Sequence, residues 1–119
     1  VHLVVVDTIN SLYRCAFKDA QSLFLLNKEL NRQLAYLADI ALKNNLPVLL
    51  VSQVHSTLQE KKEDVEPVAT RTLHFWCANI IQLKPSIKPD EKVAYLKKFN
   101  GRKLYNIFCH LKLSEYGLK

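Results

Sequence analysis

Glycine is scarce in this chain. Its 119 residues hold two, Gly101 and Gly117. A loop that cradles phosphates needs closely spaced glycines so that backbone N–H groups can reach a polyphosphate. Neither G-x-x-x-x-G-K-[ST] nor G-x-G-x-x-G can be written from these residues, so they do not supply a nucleotide's phosphate cradle by themselves. Methionine is absent, and Val1 already stands in an apolar, strand-like run. The chain is therefore expected to be a portion of a longer product, and its function a portion of a larger one. No apolar run reaches the ~20 residues of a membrane-crossing helix. Cys15, Cys77 and Cys109 are odd in number and lack C-x-x-C spacing. That pattern speaks against a disulfide framework or a zinc ribbon and for reduced thiols in a cytoplasmic protein. His74 and Cys77, three apart, would share a helix face, but without a second pair they read as core packing.

What is present is the make-up of one ordinary folded domain spanning 1–119, with 49% hydrophobic and 24% charged residues. The net charge of +6 is unevenly distributed. Eight basic and eight acidic side chains cancel over residues 1–83, whereas residues 84–119 carry nine basic against three acidic. Two readings of this tail stand side by side. A local positive excess can meet a phosphate backbone, and a lysine-rich sheet edge also discourages edge-to-edge pairing.

Leu3–Val6 and Leu46–Val51 are apolar at nearly every position, as strands covered on both faces of a parallel sheet are. Between them Leu30, Leu34, Leu37, Ala38 and Ala41 form the stripe of an amphipathic helix. Asn27 is its expected N-cap, and Asn44-Asn45 before Pro47 its expected stop. Strand, helix and strand at this spacing make a βαβ crossover. Residues 54–66 are polar and charge-dense, an exposed loop. Pro67 suits a first helical position, and Ala69, Leu73, Trp76 and Cys77 continue a second helical stripe. A short strand follows at Ile80–Leu83. Lys92–Phe99 and Lys103–Leu113 flank Asn100-Gly101, the dipeptide of a type I′ hairpin turn. In the last strand Tyr105, Ile107, Cys109, Leu111 and Leu113 alternate as one buried face would. The fold class is α/β, with a parallel β-α-β front and an antiparallel hairpin at the C-terminus.

Ligands of open α/β sheets sit beyond the carboxyl ends of the strands. Asp7 and Gln53 occupy those ends here. A carboxylate there can hold Mg²⁺ through the ion's water shell, and an uncharged amide can sense a terminal phosphate or orient an attacking water.

VHLVVVDTINSLYR resembles the Walker B strand of the RecA/RadA recombinases. LPVLLVSQVH resembles their next core strand, which ends in glutamine, and EPVATRTLHFWCANIIQL the helix and strand that follow the second DNA-facing loop. VAYLKKFNGRKLYNIFCHLKLSEYGLK resembles their terminal hairpin. Within this superfamily the likeness is nearest to the RadB group of archaeal RadA paralogues, through Pro67-Val68-Ala69, Thr72-Leu73, Cys77 and Ile81-x-Leu83. The resemblance implies a piece of a RecA-like P-loop NTPase core serving DNA repair and homologous recombination. It makes Asp7 the Mg²⁺-side carboxylate, Thr8 the counterpart of the usual Ser in cofactor binding, and Gln53 the phosphate sensor. Residues 14–25 match the first DNA-facing loop and 54–66 the second, which points to Arg14, His55, Lys61 and Lys62 toward DNA. Lys97, Lys98, Arg102 and Lys103 of the basic tail join them.

ATP and Mg²⁺ are implied for the longer protein and neither for this chain alone, since the P-loop and catalytic glutamate belong to the front half of such cores. DNA, a RadA-type recombinase and a second copy of the chain are the implied partners, and no membrane. The second loop departs from the pattern: Lys61 and Lys62 face Glu60, Glu63, Asp64 and Glu66, a net of −2 that repels a phosphate backbone. Two other readings stay open, a non-enzymatic module docking on a recombinase and a KaiC-like RecA-fold ATPase outside recombination.

Overall fold

A computed structural model describes residues 1–9, 20–53 and 66–119. The chain divides into two compact units, Val1–Trp76 and Cys77–Lys119. In the first, β1 (Val4–Asp7) and β2 (Val48–Val51) run parallel, with Val4 opposite Val48 and Asp7 opposite Val51. The long helix α1 (Ala20–Asn44) makes the crossover, and α2 (Glu66–Trp76) follows β2. The core sits on α1. Leu30 and Leu34 are buried there, and Ile9, Leu26, Leu50, Leu73 and Trp76 pack against them. Burying a leucine contributes roughly 1.5–3 kcal/mol, so these two side chains are the main anchor of the unit. The Trp76 indole N–H donates to Asn31 Oδ1 at 3.0 Å, which ties α2 to α1.

The helix stop is as its residues imply. Asn45 takes a left-handed φ of 47°, the Leu46 N–H donates to the Ala41 carbonyl and the Asn45 N–H to that of Leu42. This is the paired closure of a helix terminus on a residue that tolerates positive φ, and Pro47 cannot continue the helix. The helix start differs from the expectation at Asn27. The helix begins at Ala20, and Asn27 lies inside it, its carbonyl accepting from Asn31 Nδ2. The leucines at 25 and 26 are good helix formers, so the helix runs on through the polar residue. Residues 20–25, assigned to the first DNA-facing loop, are therefore helical, and 10–19 lie outside the described residues.

The two parallel strands are covered on one face rather than two. Val4, Val6, Val48 and Leu50 are half-buried, while Val5, Asp7, Leu49 and Val51 are exposed. One helical layer shields one side of a pleated pair. Apolar residues on both faces encode two covers, and within this unit α1 is the cover described.

The second unit consists of strands alone. Strand β3 (Ile80–Pro85) pairs with β4 (Glu91–Phe99), β4 with both β5 (Arg102–Lys103) and β6 (Phe108–Ser114), and β6 with β7 (Gly117–Leu118), all antiparallel. Asn100 and Gly101 take φ of 47° and 80° in the two-residue turn between β4 and β5, the positive pair that a type I′ turn requires. The expected continuous strand from Lys103 to Leu113 is interrupted at residues 104–107, with Asn106 at φ 57°, although the Leu104 N–H still donates to the Lys97 carbonyl and the Ile107 carbonyl accepts from the Leu96 N–H. Strand β7, unforeseen, folds back where the Ser114 hydroxyl bonds to the Gly117 carbonyl at 3.0 Å and accepts from the Tyr116 N–H. The alternating face from Tyr105 to Leu113 is largely exposed instead of buried; of those five residues Leu111 alone is half-buried. An apolar sheet face is buried only when a second layer lies on it, and this unit has one layer. Among the described residues no helix is long and apolar enough to cross a membrane.

Candidate functional site

The carboxyl rim of the parallel pair is built by strand register. Asp7 is the last residue of β1 and lies opposite Val51, and Gln53 stands two residues beyond Val51. Strands ~4.8 Å apart rising ~3.3 Å per residue put the two Cα atoms roughly 8 Å apart. Asp7, Val51 and Gln53 are exposed, while Val6, Leu50 and Ser52 are half-buried. Period-two alternation therefore sends the carboxylate and the amide to the same open face. The pairing continues past the strand end, because the Ile9 N–H donates to the Val51 carbonyl at 3.0 Å. Thr8, joined to Asp7 by a cis peptide bond, is half-buried. At the opposite rim the Val4 N–H donates to the Pro47 carbonyl at 3.1 Å. The open face of the rim thus presents one acid and one amide, with the half-buried Thr8 next to the acid in the chain.

Chemically, a lone exposed carboxylate suits a cation that keeps its water shell, because Mg²⁺ takes one or two carboxylates and leaves the rest of its ligands to water and phosphate oxygens. The amide beside it carries no charge and offers both donor and acceptor. No set of three His, Cys, Asp or Glu side chains among the described residues is grouped to hold an ion outright. The donor set therefore fits a metal–phosphate complex held mainly by other groups and does not fit a self-sufficient metal centre.

The remaining candidate residues separate into two sets. Arg14, His55, Lys61 and Lys62 fall outside the described residues. Lys97, Lys98, Arg102 and Lys103 gather around the turn of the β4–β5 hairpin, without sharing one face. Lys98 is opposite Lys103 and Phe99 is opposite Arg102, so the two pairs point to opposite sides; Lys97 sits at a bulge where β3 offers it no partner. Cys77 is half-buried and its thiol is pushed up by that burial, with the Lys98 charge working the other way. Such a thiol stays protonated and is a poor metal ligand.

The family model described as Rad51 matches residues 1–115. The chain belongs to the Rad51 family. Relatives named DNA repair and recombination protein RadB share 36% identity over 117 residues in Thermococcus kodakarensis and 37% over 117 in Thermococcus gammatolerans, each alignment covering 98% of this chain and 50% of the relative. The RadB of Methanobrevibacter smithii shares 35% over 99 residues, 82% of this chain and 41% of its own. A crystal structure of the RadB recombinase superposes with a TM-score of 0.62 at 24% identity, covering 98% of this chain and 50% of that one. The chain spans about half the length of the curated relatives it matches. Its α/β fold, with a parallel β-α-β front and an antiparallel C-terminal sheet, is thus that of a Rad51-family protein.

One feature escaped the sequence. Across the second unit Lys84 Nζ lies 5.1 Å from the centre of the Tyr95 ring, Tyr95 lies 5.5 Å from Phe108, and Phe108 lies 6.0 Å from His110. These residues are 11, 13 and 2 positions apart in the chain, so no short motif signals them. Antiparallel pairing of β3, β4 and β6 brings Lys84, Tyr95 and Phe108 together, and the two-residue repeat of β6 adds His110.

Proposed function

We infer that the chain is the C-terminal portion of a RadB-like, ATP-binding protein of DNA repair and homologous recombination. The observation that carries this reading is the placement of Asp7 and Gln53 on one rim and one face of adjacent parallel strands in a Rad51-family chain. Asp7 holds Mg²⁺ through water, and the Thr8 hydroxyl accompanies it in binding the nucleotide. The bound metal supplies charge neutralisation at the phosphates. Gln53 faces the terminal phosphate and, standing at the entrance to residues 54–65, couples nucleotide state to that segment. Arg14, His55, Lys61, Lys62 and the hairpin-tip residues Lys97, Lys98, Arg102 and Lys103 approach DNA. A RadA-type recombinase and a second copy of the chain complete the set of partners in this cytoplasmic reading.

The test uses the full-length protein and titrates ATP in the presence of Mg²⁺. Asp7→Asn and Asp7→Ala are expected to weaken binding by roughly 10–100-fold, the range for groups acting through a metal's outer shell. Unchanged affinity would remove Asp7 from the site. Gln53→Ala is expected to keep ATP binding and lose its coupling to DNA affinity.

The acidic stretch Glu60–Glu66 supports a second reading, a non-enzymatic module that docks on a RadA-type recombinase. Binding to that recombinase without nucleotide dependence, and no DNA binding at physiological salt, would select it.

A further inference from the structure

The row of rings on the second unit has the make-up of a surface for unpaired bases. Strand register sets three side chains abreast twice over: Gln82, Tyr95 and Phe108 in one row, Lys84, Val93 and His110 in the next. Tyr95 and Phe108 are tilted 39° to each other, and His110 meets Phe108 edge-on at 79°. Val93, at the centre, is the buried side chain of this unit. The long side chains flanking it close over it, so the rings form a supported layer instead of loose projections. That layer is still open outward: Phe108 is 53% exposed, and Lys84 and His110 are exposed.

Charge completes the pattern. Lys84 lies against the tyrosine ring at one end, and Lys112 stands opposite Glu91 at the other. Glu91 is engaged by Lys88 at 3.0 Å and lies 4.0 Å from His110, and Lys112 lies 3.9 Å from Asp90, so Lys84 is the cation of this face that no carboxylate holds. Residues 84–119, which supply all but Gln82 of it, carry nine basic side chains against three acidic. Flat rings interleaved with cations are what sequence-tolerant binding of a single strand uses, since every base has a stacking face and every nucleotide a phosphate.

We propose that the face bearing Lys84, Tyr95, Phe108 and His110 is a stacking surface for single-stranded nucleic acid, distinct from the hairpin tip. The proposal rests on the DNA-binding reading above and adds to it where an unpaired strand lies. Bases stack on Tyr95 and Phe108, and Lys84 meets the phosphates beside them.

Fluorescence anisotropy of the full-length protein titrated onto labelled oligo(dT), at several salt concentrations, tests it. Phe108→Leu and Tyr95→Leu, each checked for an unchanged melting transition, are expected to weaken binding about tenfold or more while leaving the salt slope alone. Lys84→Gln is expected to lower the slope of log affinity against log salt by about 0.7, the value for one phosphate contact on a single strand. Lys98→Gln with Lys103→Gln serves as the comparison at the hairpin tip. If folded Phe108→Leu and Tyr95→Leu bind oligo(dT) as the wild type does, while the tip variant loses affinity, the stacking surface is overturned and the DNA reading survives. If the wild type binds no oligo(dT), both fall. If the ring variants instead lose a protein partner and keep oligo(dT), the face belongs to that partner and the proposal fails.

Discussion

The two units solve the problem of a thin sheet in different ways. In Val1–Trp76 a pair of strands is backed by a 25-residue helix, and burial concentrates on two leucines of that helix. In Cys77–Lys119 there is no helix, and the sheet is stabilised within its own plane by ladders, a two-residue turn and side chains that cover Val93. The first arrangement frees the strand ends to carry polar groups. The second leaves both sheet faces open, one apolar and one aromatic and basic. Function is thus read from a rim in one unit and from a face in the other.

This contrast is sharpened most by core truncation. Leu34, 2% exposed in α1, should cost about 2–5 kcal/mol as Leu34→Ala, because transfer and cavity terms add. Leu113→Ala removes a side chain that is 48% exposed and should cost well under half as much. Urea melts of the two variants decide it, and equal losses would show that the apolar face of the second unit is covered in the folded protein. A smaller effect is expected at the turn. Gly101 has φ +80° and open space about its missing Cβ, so Gly101→Ala meets conformational strain without a clash and should cost about 1 kcal/mol by thermal melting. A negligible shift there would mean that the β4–β5 turn contributes little to the second unit.

The smallest effect belongs to the exposed side of α1. The Arg32 guanidinium, and then the Gln33 amide, hold the Glu29 carboxyl down at about 2, and Arg32 is pushed upward in turn. A lowered folded value means that the pair's contribution is complete above the ordinary carboxylate value of 4.5 and fades as pH falls toward 2. NMR titration of the Glu29 carboxyl should therefore show no midpoint near 4.5, and Arg32→Gln should restore one. Because the Arg32 and Glu29 side chains are 58% and 44% open to solvent, the stability change should be barely measurable.

Much of this architecture was legible before the structure. Leu30, Leu34 and Leu73 announce helices by spacing, Asn45 and Pro47 announce a stop, and Asn100-Gly101 announces a turn, because each acts on residues a few positions away. Asp7 and Gln53 could be paired for a similar reason, since both end apolar runs that had to lie side by side. What was not legible depends on distant chain. The start of α1 at Ala20 overrides a good capping residue at Asn27. The exposure of Ile107 and Leu113 depends on whether a second layer exists, which alternation does not encode. The Lys84–Tyr95–Phe108–His110 row arises from a three-strand register, and counting aromatics along the sequence gives no hint of it.

The closure of α1 on Asn45 has a consequence for heredity as well as for packing. From that closure to Gln53 the chain runs eight residues with no slack, anchored by the Leu46 and Val4 hydrogen bonds at one end and the Ile9 bond at the other. A codon inserted or deleted between Pro47 and Val51 would reverse the parity of the strand and swing the amide to the helix side, away from the acid. Two codons would restore the facing yet slide the amide out of reach. Length variation among kin should consequently spare the short span that keeps acid and amide in step.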